Sequence, residues 1–214
     1  IIGTTGSGKS TIAKLLMGVY RPTKGDILID GKSISAYDRK SLLRLFGYVA
    51  QDIFLFSETV KDNILFGSNS AADAENLSKA VETASLSAEI ANFPKGLETM
   101  LGERGITLSG GQKQRTAIAR ALIKNPQVLL IDDGLSAVDT KTEVAIKQGL
   151  FNWNKEQTII NISHRISSVK DSKEILFLDK GRMVENGTHQ ELLANEDVYS
   201  ELFHKQMTLS ETEG

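Results

Sequence analysis

The sequence contains no cysteine, no excess of basic residues and no long apolar run, and each absence excludes a class of protein. Without cysteine the chain cannot be a disulfide scaffold or bind zinc through thiolates, which agrees with a reducing compartment. The purely apolar runs, such as residues 128–131, are far shorter than the roughly 20 residues that span a bilayer. The start has no signal-peptide pattern. We therefore expect these residues to form a soluble polypeptide.

The charge balance limits the partners of the chain. There are 25 Lys and Arg residues against 27 Asp and Glu residues, which gives a formal net charge of −2. Proteins that bind nucleic acid or anionic membranes through surface charge usually carry a basic excess, so we expect no nucleic-acid partner. Any phosphate recognition must therefore be local. The length of 214 residues and the hydrophobic fraction of 40% allow one ordinary domain or two small lobes.

Short apolar runs alternate with helical patterns along the chain. Strands are predicted at residues 27–29, 46–49, 128–131, 158–162 and 175–178, with turns at Lys180-Gly181 and Asn186-Gly187. Helices are predicted at residues 10–19, 109–124 and 140–153, with Ser109 as a helix cap and a capping box at Thr140 and Glu143. Residues 58–104 are helical and polar. This order predicts an α/β fold with a mostly parallel sheet and an inserted α-helical subdomain, and ligands of such sheets lie at the carboxyl ends of the strands.

A glycine-rich loop follows a strand stub at Ile1-Ile2 and precedes a helix. It has every fixed position of the motif G-x-x-x-x-G-K-[ST], in the residues Gly3-Thr4-Thr5-Gly6-Ser7-Gly8-Lys9-Ser10, and Thr11 comes next. Glycines let backbone N–H groups surround phosphate oxygens, and the helix N-terminus adds a favourable dipole. Lys9 would neutralise charge on the β- and γ-phosphates, and the Ser10 hydroxyl would ligate Mg²⁺. The context favours a P-loop NTPase (RecA-like) core over an ordinary glycine-rich turn.

Asp132 and Asp133 end the buried strand predicted at residues 128–131. The first carboxylate can hold Mg²⁺ through water, and the second can face an attacking water. Two adjacent aspartates also occur at plain strand-to-turn transitions, and only the phosphate loop favours the functional interpretation. P-loop enzymes that hydrolyse fast often carry Glu at the second position. Because Asp is one methylene shorter and a general base must come within about 2.6–3.2 Å of its proton, we expect weak hydrolysis at this site.

A second glycine loop opens the helix predicted at residues 109–124. It follows the helical stretch, precedes the aspartate-bearing strand and consists of Leu108-Ser109-Gly110-Gly111-Gln112. Ser109 and two glycines at a helix N-terminus make a second anion site. In letters and in order, these motifs resemble the nucleotide-binding domains of ATP-binding cassette (ABC) proteins, over residues 1 to about 206. The resemblance implies ATP and Mg²⁺ as cofactors and a head-to-tail dimer, in which the loop from Ser109 to Gln112 closes over the partner's nucleotide.

Further positions follow the pattern of this family. Gln51 resembles the Q-loop glutamine, which contacts Mg²⁺ and the attacking water and signals to the membrane domain. His164 resembles the switch histidine that contacts the γ-phosphate. The segment Ser136-Ala137-Val138-Asp139 resembles the D-loop at the dimer interface, although Asp139 can equally serve as a helix cap. The resemblance thus implies catalytic roles for Asp133, His164 and Gln51, and metal ligation by Ser10, Gln51 and Asp132.

Two segments resemble the exporters of this family in particular. Gly102-Glu103-Arg104-Gly105 resembles the element that contacts transmembrane coupling helices, and Phe54-Leu55-Phe56-Ser57 follows Gln51 as in exporters. The resemblance therefore implies transmembrane domains as partners and a location at the cytoplasmic face of the cell (inner) membrane. The basic residues Lys113, Arg115, Arg120 and Lys124 are interpreted as a solvated helix face with ion pairing rather than as a nucleic-acid patch.

Asp133 departs from the family pattern, which has Glu at this position. Beside an intact Ser109 motif, this departure resembles one half of a heterodimeric multidrug-type exporter. Asp133 would then weaken the site built on this chain's Lys9, while the Ser109 loop completes the competent site of a different partner chain. Two alternatives stay open: a regulatory subunit that binds ATP and hardly hydrolyses it, and a soluble ABC ATPase of DNA repair or translation. The absence of a long coiled-coil insert disfavours the second alternative.

The resemblance also divides the chain into parts. It predicts a P-loop part at residues 1–51, a helical subdomain at 52–108, a part with the signature helix, Walker B, D-loop and H-loop at 109–206, and a tail at 207–214. We expect the first core strands and the adenine-stacking aromatic to precede Ile1. About six apolar segments of roughly 20 residues each are expected upstream for an exporter.

Overall fold

The computed structural model describes residues 1–66, 68, 74–102 and 108–212, and the chain forms two compact units. Unit 1 comprises Ile1–Ala36 and Ile160–Gly214, and unit 2 comprises Tyr37–Ile159. In the described part of the chain, no helix is both long enough and apolar enough to cross a membrane.

Unit 1 contains a three-stranded sheet in the order β1-β7-β8. Strand β1 (Ile2–Gly3) pairs in parallel with β7 (Ile175–Asp179), so that Ile2 lies beside Phe177. Strand β8 (Arg182–Gly187) pairs antiparallel with β7 through the tight turn Lys180-Gly181. Both turn residues have positive φ, 47° and 78°, as a type I′ hairpin requires. The predicted turn at Lys180-Gly181 is therefore confirmed.

As far as the structure describes it, unit 1 also contains a separate hairpin and four α-helices. Strands β2 (Leu28–Ile29) and β3 (Lys32–Ser33) pair antiparallel across a second tight turn at Asp30-Gly31. The helices are α1 (Lys9–Leu16), α8 (Ile166–Val169), α9 (His189–Ala194) and α10 (Val198–Thr212). The apolar faces of α8, α9 and α10 and the sheet form one core cluster, made of Ile2, Ile166, Val169, Ile175, Phe177, Leu192 and Tyr199. This core fixes β1 and therefore the start of the glycine-rich loop.

The described residues of unit 2 form a parallel strand pair and six α-helices. Strand β4 (Phe46–Val49) pairs in parallel with β5 (Val128–Asp132), and β6 (Thr158–Ile162) begins on the other side of β5. The helices are α2 (Arg39–Arg44), α3 (Val60–Leu65), α4 (Ala74–Thr83), α5 (Ser87–Asn92), α6 (Gly110–Leu122) and α7 (Thr140–Trp153). Three of them, α3, α4 and α5, lie in the stretch that the sequence predicts as helical. The strand predictions at residues 46–49 and 158–162 are confirmed.

Helix α6 lies at the centre of the unit 2 core and contacts β4, α3 and α4. Its predicted apolar stripe is confirmed, since Ile118, Ala121 and Leu122 are all buried. The prediction that its basic residues form a solvated face with ion pairing is confirmed only in part. Arg115 ion-pairs with Glu89, and it also donates to the Ser85 carbonyl. The prediction is wrong for Arg120, because its partly buried guanidinium donates to the backbone carbonyl oxygens of Asn63 and Phe54 rather than to an acidic side chain.

Arg120 binds backbone and aromatic groups. Its guanidinium donates to the carbonyl oxygens of Asn63 at 2.7 Å and Phe54 at 2.8 Å, and to Asn63 Oδ1 at 2.8 Å. The ring of Phe56 lies 5.7 Å from the guanidinium carbon, within the range of a cation–π contact. Burial lowers the pKa of Arg120 from its usual value. Arg120 therefore fixes the exporter-like segment after Gln51 to helix α6.

Two local predictions are wrong, and in each case a neighbouring contact decides the outcome. Asn186-Gly187 forms the end of β8 rather than a turn, because Gly187 pairs with Ile175 in the register of β7 and β8. Thr140 is not the cap of helix α7. Asp139 is its N-cap, and its carboxylate accepts the Thr142 N–H at 3.0 Å, which confirms the helix-cap interpretation of Asp139. That hydrogen bond lowers the pKa of the Asp139 carboxyl.

Gly47, in the middle of β4, offers a test of the packing of helix α6. A Cβ at this position would lie 2.6 Å from the Ala121 carbonyl oxygen and 2.8 Å from Pro126 Cγ. We predict that Gly47→Ala lowers the free energy of unfolding by about 1–3 kcal/mol, the usual cost of overpacking, as measured by denaturant unfolding monitored at Trp153. Adding Pro126→Ala should restore little of the lost stability, because the contact with the Ala121 carbonyl oxygen persists. Full recovery in the double variant would contradict this packing.

Candidate functional site

The glycine-rich loop of unit 1 needs glycine for two different reasons. Gly6 and Gly8 have φ values of 78° and 98°, in the left-handed region that side chains disfavour. Gly3 has no room for a side chain, because a Cβ there would lie 2.0 Å from the Leu178 carbonyl oxygen of β7. Two bonds anchor the loop to the β7–β8 hairpin: Thr4 Oγ1 donates to Asp179 at 3.0 Å, and the Gly181 N–H donates to Ser7 O at 3.1 Å.

The loop ends where helix α1 begins, at Lys9. Gly8 is the N-cap and offers no side-chain cap, while the Thr11 N–H donates to its carbonyl at 3.0 Å. The Lys9 ammonium curls back over the loop and donates to the carbonyl oxygens of Gly3 and Thr4, both at 2.9 Å. The side chain of Lys9 is thus placed at the loop beside the helix N-terminus, as phosphate binding requires.

The loop fits a phosphate chain. A Cβ at Gly6 would meet no atom within 4 Å, so the outer side of the loop is open. Ser7 is 2% exposed, and among the described residues its Oγ has no hydrogen-bond partner. An open ring of backbone with a positive side chain and a helix N-terminus is the arrangement that holds phosphate oxygens. Thr4, Thr5 and Thr11 lie exposed along the same stretch.

His164 lies in the segment between β6 and helix α8 of unit 1, and it is exposed. The preceding residue, Ser163, donates its N–H to the Ile1 carbonyl at 3.0 Å, which places this segment beside the strand that enters the phosphate loop. Gln206 of helix α10 clamps the segment from the other side. Its Nε2 donates to the His164 carbonyl at 2.7 Å, and its Oε1 accepts the Ile166 N–H at 2.9 Å.

In unit 2 the predicted polar residues lie at one edge of the parallel strand pair. Val49, the last residue of β4, lies beside Ile131, so that Asp132 at the end of β5 and Gln51, two residues after β4, are both at the carboxyl ends of the strands. Asp132 is 2% exposed, whereas Gln51 is exposed. The Tyr48 hydroxyl makes a long contact of 3.5 Å with Asp132 Oδ2. Burial, with a smaller effect of the Asp132 charge, raises the pKa of Tyr48.

Asp133 follows directly in a left-handed conformation, with a φ of 48°. Gly134 lies so close to the strands that a Cβ there would come within 2.6 Å of Val49 Cγ1. The Asp133 carbonyl accepts the Ser136 N–H at 3.2 Å, which closes a turn. This geometry turns the chain sharply away from β5 directly after Asp132, the last residue of the strand.

The second glycine loop begins helix α6. Ser109 is its N-cap and forms a capping box with Gln112: Ser109 Oγ accepts the Gln112 N–H, and Gln112 Oε1 accepts the Ser109 N–H. Gly111 lies against the loop after Asp133, where a Cβ would be 2.9 Å from the Ala137 carbonyl oxygen. Ser109 and Gly110 are exposed. The prediction that Ser109 caps this helix is confirmed.

The structure groups the predicted site residues in two sets. Unit 1 holds the phosphate loop and His164, and unit 2 holds Gln51, Asp132, Asp133 and the Ser109 loop. Within the described ranges, no cluster of three or more His, Asp or Glu side chains could hold a metal ion. The predicted magnesium ligands are a hydroxyl, an amide and a carboxylate, oxygen donors of the kind that suits Mg²⁺ bound together with phosphates. Of the exporter-like element at Gly102 to Gly105, all but Gly102 lies outside the described residues.

Three side chains near the site were not predicted from the sequence: Tyr48, Gln114 and Gln206. Tyr48 precedes Gln51 by three residues on β4, and a polar hydroxyl at the end of a buried strand was the available signal. The two glutamines carry no such signal, because each binds backbone groups of a segment far along the chain.

Comparison with known proteins identifies clear relatives. The sequence profile described as ABC transporter matches residues 1–136. The chain is 47% identical over 214 residues to a probable multidrug resistance ABC transporter ATP-binding/permease protein of Bacillus subtilis (strain 168), covering 100% of this chain and 36% of that protein. It is 45% identical over 206 residues to an ATM1-type heavy metal exporter of Novosphingobium aromaticivorans, covering 96% of this chain and 34% of that protein.

A solved structure is similar in both sequence and fold. The structure of a bacterial Atm1-family ABC exporter with ATP bound superposes with a TM-score of 0.92 and 43% identity, over 96% of this chain and 36% of that chain. The chain therefore spans about a third of the length of the relatives it matches. The α/β P-loop fold predicted from the sequence is confirmed by this match.

The clamp formed by Gln206 can be tested directly. We predict that Gln206→Ala speeds hydrogen exchange at the Ile166 amide about fivefold, because a net hydrogen bond contributes about 1 kcal/mol. Exchange in β7 should not change. The exposed neighbour Lys205→Ala serves as the control for helix α10 and should match the parent protein. Equal exchange at Ile166 in both variants would show that Gln206 does not hold the His164 segment.

Proposed function

The chain belongs to the ABC transporter family, and we propose that it is a nucleotide-binding domain that hydrolyses Mg-ATP to drive export of a substrate across a membrane. The observation that carries this proposal is the phosphate loop of unit 1. Its glycine-dependent conformation, its anchoring to the β7–β8 hairpin and the placement of Lys9 at the start of helix α1 together form a phosphate site. The similarity to exporters over nearly the whole chain supports the direction of transport.

In this proposal the residues of unit 1 bind the triphosphate. Backbone N–H groups of the loop from Gly3 to Thr11 surround the phosphate oxygens, since the first N–H groups of a helix lie beyond the reach of intrahelical acceptors. Lys9 exchanges its bonds to loop carbonyls for bonds to the β- and γ-phosphates. Ser10 offers its hydroxyl to Mg²⁺. His164, exposed beside the strand that enters the loop, contacts the γ-phosphate.

The residues of unit 2 act on metal and water. Asp132 would hold Mg²⁺ from the sheet edge, and Gln51 would contact the metal and orient the attacking water. Asp133, immediately after Asp132, takes the proton from that water. When bound, Mg²⁺ would neutralise the charge that develops on the phosphate oxygens. The burial of Asp132 at 2% exposure and the fixed turn at Asp133 support these roles, because both carboxylates are held by the backbone at one edge.

The exposed start of helix α6 supports a head-to-tail dimer. Ser109, Gly110, Gly111 and Gln112 form a helix N-terminus with its own capping box, and a helix N-terminus attracts phosphate. We propose that this end closes over the nucleotide of a second nucleotide-binding domain. The helical subdomain at residues 52–108 would face the transmembrane domains. The chain would then work at the cytoplasmic face of the cell membrane.

Asp133 bears on which dimer forms. A carboxylate one methylene shorter than Glu reaches less far from the fixed turn after β5. We therefore propose a heterodimer with a different chain, in which the site on this Lys9 hydrolyses slowly and the intact Ser109 loop completes a faster site. The second candidate, a regulatory ATP-binding subunit, differs only in having no measurable turnover at its own site.

The role of Lys9 can be tested by nucleotide binding. We predict that Lys9→Ala in the full-length transporter weakens Mg-ATP binding by at least about tenfold, because a charge-assisted contact to phosphate is lost. Isothermal titration calorimetry gives the affinity. Lys14→Ala, an exposed lysine on the same helix, is the matched control and should bind as the parent does. Equal affinities for both variants would refute the phosphate-site assignment.

Asp133 can be tested by ATP turnover of the complex with its partner chain. We expect Asp133→Glu to raise turnover, because the longer carboxylate reaches the water, and Asp133→Asn to leave most turnover intact, because the partner's site supplies it. Single-turnover measurements would assign turnover to each site. If both substitutions leave the rate unchanged, the regulatory candidate is correct. If Asp133→Asn abolishes all turnover, Asp133 is a working base and the impaired-site proposal is wrong.

A further inference from the structure

Gln114 is a buried polar residue on helix α6 that the proposed chemistry leaves without a role. It lies one turn after Gly110 and is 5% exposed. Its side-chain amide uses both ends on the loop that follows Asp133: Oε1 accepts the Ala137 N–H at 2.8 Å, and Nε2 donates to Ser136 Oγ at 3.0 Å. The same Nε2 lies 3.4 Å from the Asp133 carbonyl oxygen. One side chain thus bridges the whole loop.

The loop itself is compact and has little freedom of its own. Asp133 opens it in a left-handed conformation, and Gly134 is wedged against the ends of β4 and β5. Leu135 and Val138 are buried at 3% and 6% exposure, so the loop is anchored in the unit 2 core on one side. Gln114 anchors it on the other side. Moving this loop as a body therefore requires helix α6 to move with it.

The first turn of helix α6 contacts the same loop. A Cβ at Gly111 would lie 2.9 Å from the Ala137 carbonyl oxygen, and one at Gly110 would lie 3.3 Å from Ala137 Cβ. Backbone therefore packs on backbone, and Gln114 adds polar bonds that fix the register of the contact. These contacts join Ser109, the exposed cap of the helix, to the loop whose first residue is Asp133.

We propose that Gln114 is a positioning residue that couples the Ser109 end of helix α6 to Asp133. The inference rests on the proposed function, in which Ser109 engages the partner's nucleotide while Asp133 serves the nucleotide on this chain. Closure of the Ser109 end would then set the orientation of Asp133 through the bonds of Gln114. The bonds of Gln114, which fix the register of the contact between Gly111 and Ala137, would then link the two nucleotide sites of the dimer.

The variant Gln114→Met removes the three polar contacts and nearly preserves side-chain volume. Gln157→Met is the matched control, because Gln157 also binds one backbone carbonyl, that of Pro126 at 2.7 Å, but at the amino-terminal edge of the strands. Ser136→Ala removes a single bond of Gln114 at an exposed residue, and it replaces Gln114→Met if that variant does not fold. Gln114→Glu keeps the acceptor for the Ala137 N–H and tests rescue.

The experiment compares hydrogen exchange and ATP turnover of the full-length transporter with and without Mg-ATP. In the parent protein, Mg-ATP should protect residues 109–112 and 134–138 together. In Gln114→Met, residues 109–112 should still gain protection while 134–138 do not, and the single-turnover rate at the site on this chain's Lys9 should fall about tenfold with the half-saturating ATP concentration changed less than about twofold. Ser136→Ala should lower that rate about two- to threefold, Gln114→Glu should recover part of the loss, and Gln157→Met should match the parent.

Coupled protection of both segments in Gln114→Met, at the parent's single-turnover rate for this chain's site, would overturn the proposal. So would a fall in that rate that Gln157→Met shares, because the effect would then be one of general stability. Failure of the proposed function has a different signature: the parent protein itself would show neither turnover nor protection by Mg-ATP.

Discussion

Helix α6 is buried along most of its length, and the polar side chains on its inner faces must therefore be hydrogen-bonded there. A buried polar group without a partner costs about 1–3 kcal/mol, a large share of the stability of a domain. Gln114 forms its hydrogen bonds with the loop after Asp133. Arg115 bonds to the backbone just before α5, and Arg120 bonds to the backbone of the segment after Gln51. The same helix thus holds three separate segments in place. The arrangement of functional residues in unit 2 depends on this helix as much as on the strands that end beside it.

Close backbone packing is the second condition for the site, and glycine makes it possible. Gly47 lets helix α6 approach β4, Gly111 lets it approach the loop after Asp133, and Gly3 lets β1 approach β7. Gly6 and Gly8 have a different task, because they hold the left-handed conformations that open the phosphate loop. Since backbone N–H groups, one helix end and one lysine are enough to bind a triphosphate, a basic surface is unnecessary. A chain with a formal net charge of −2 can therefore recognise a triphosphate locally.

The sequence predicted well whatever is encoded within a few neighbouring residues. The strand at residues 46–49, the cap at Ser109 and the turn at Lys180-Gly181 are local patterns, and the structure contains them. The turn predicted at Asn186-Gly187 rests on an equally local pattern, but these residues form the end of β8, because β8 pairs along the full length of β7. The choice between Asp139 and Thr140 as the cap of α7 depended on a single residue of register, which periodicity alone does not fix. Errors therefore arose where local preference competed with a partner strand or with a nearby alternative.

By itself, the sequence determined which residues could carry the proposed chemistry: the phosphate loop ending in Lys9, the paired aspartates and the loop beginning at Ser109 follow from residue type and spacing. Only the tertiary structure decided which other side chains support that chemistry. Gln114 and Ala137 are 23 residues apart, Gln206 and His164 are 42 apart, and Arg120 and Phe54 are 66 apart. Each of these contacts is made to a backbone group, which every residue carries. A side chain that binds backbone does not require a particular residue type as its partner. The sequence therefore gives no signal for such a contact, which depends on the fold bringing the two segments together.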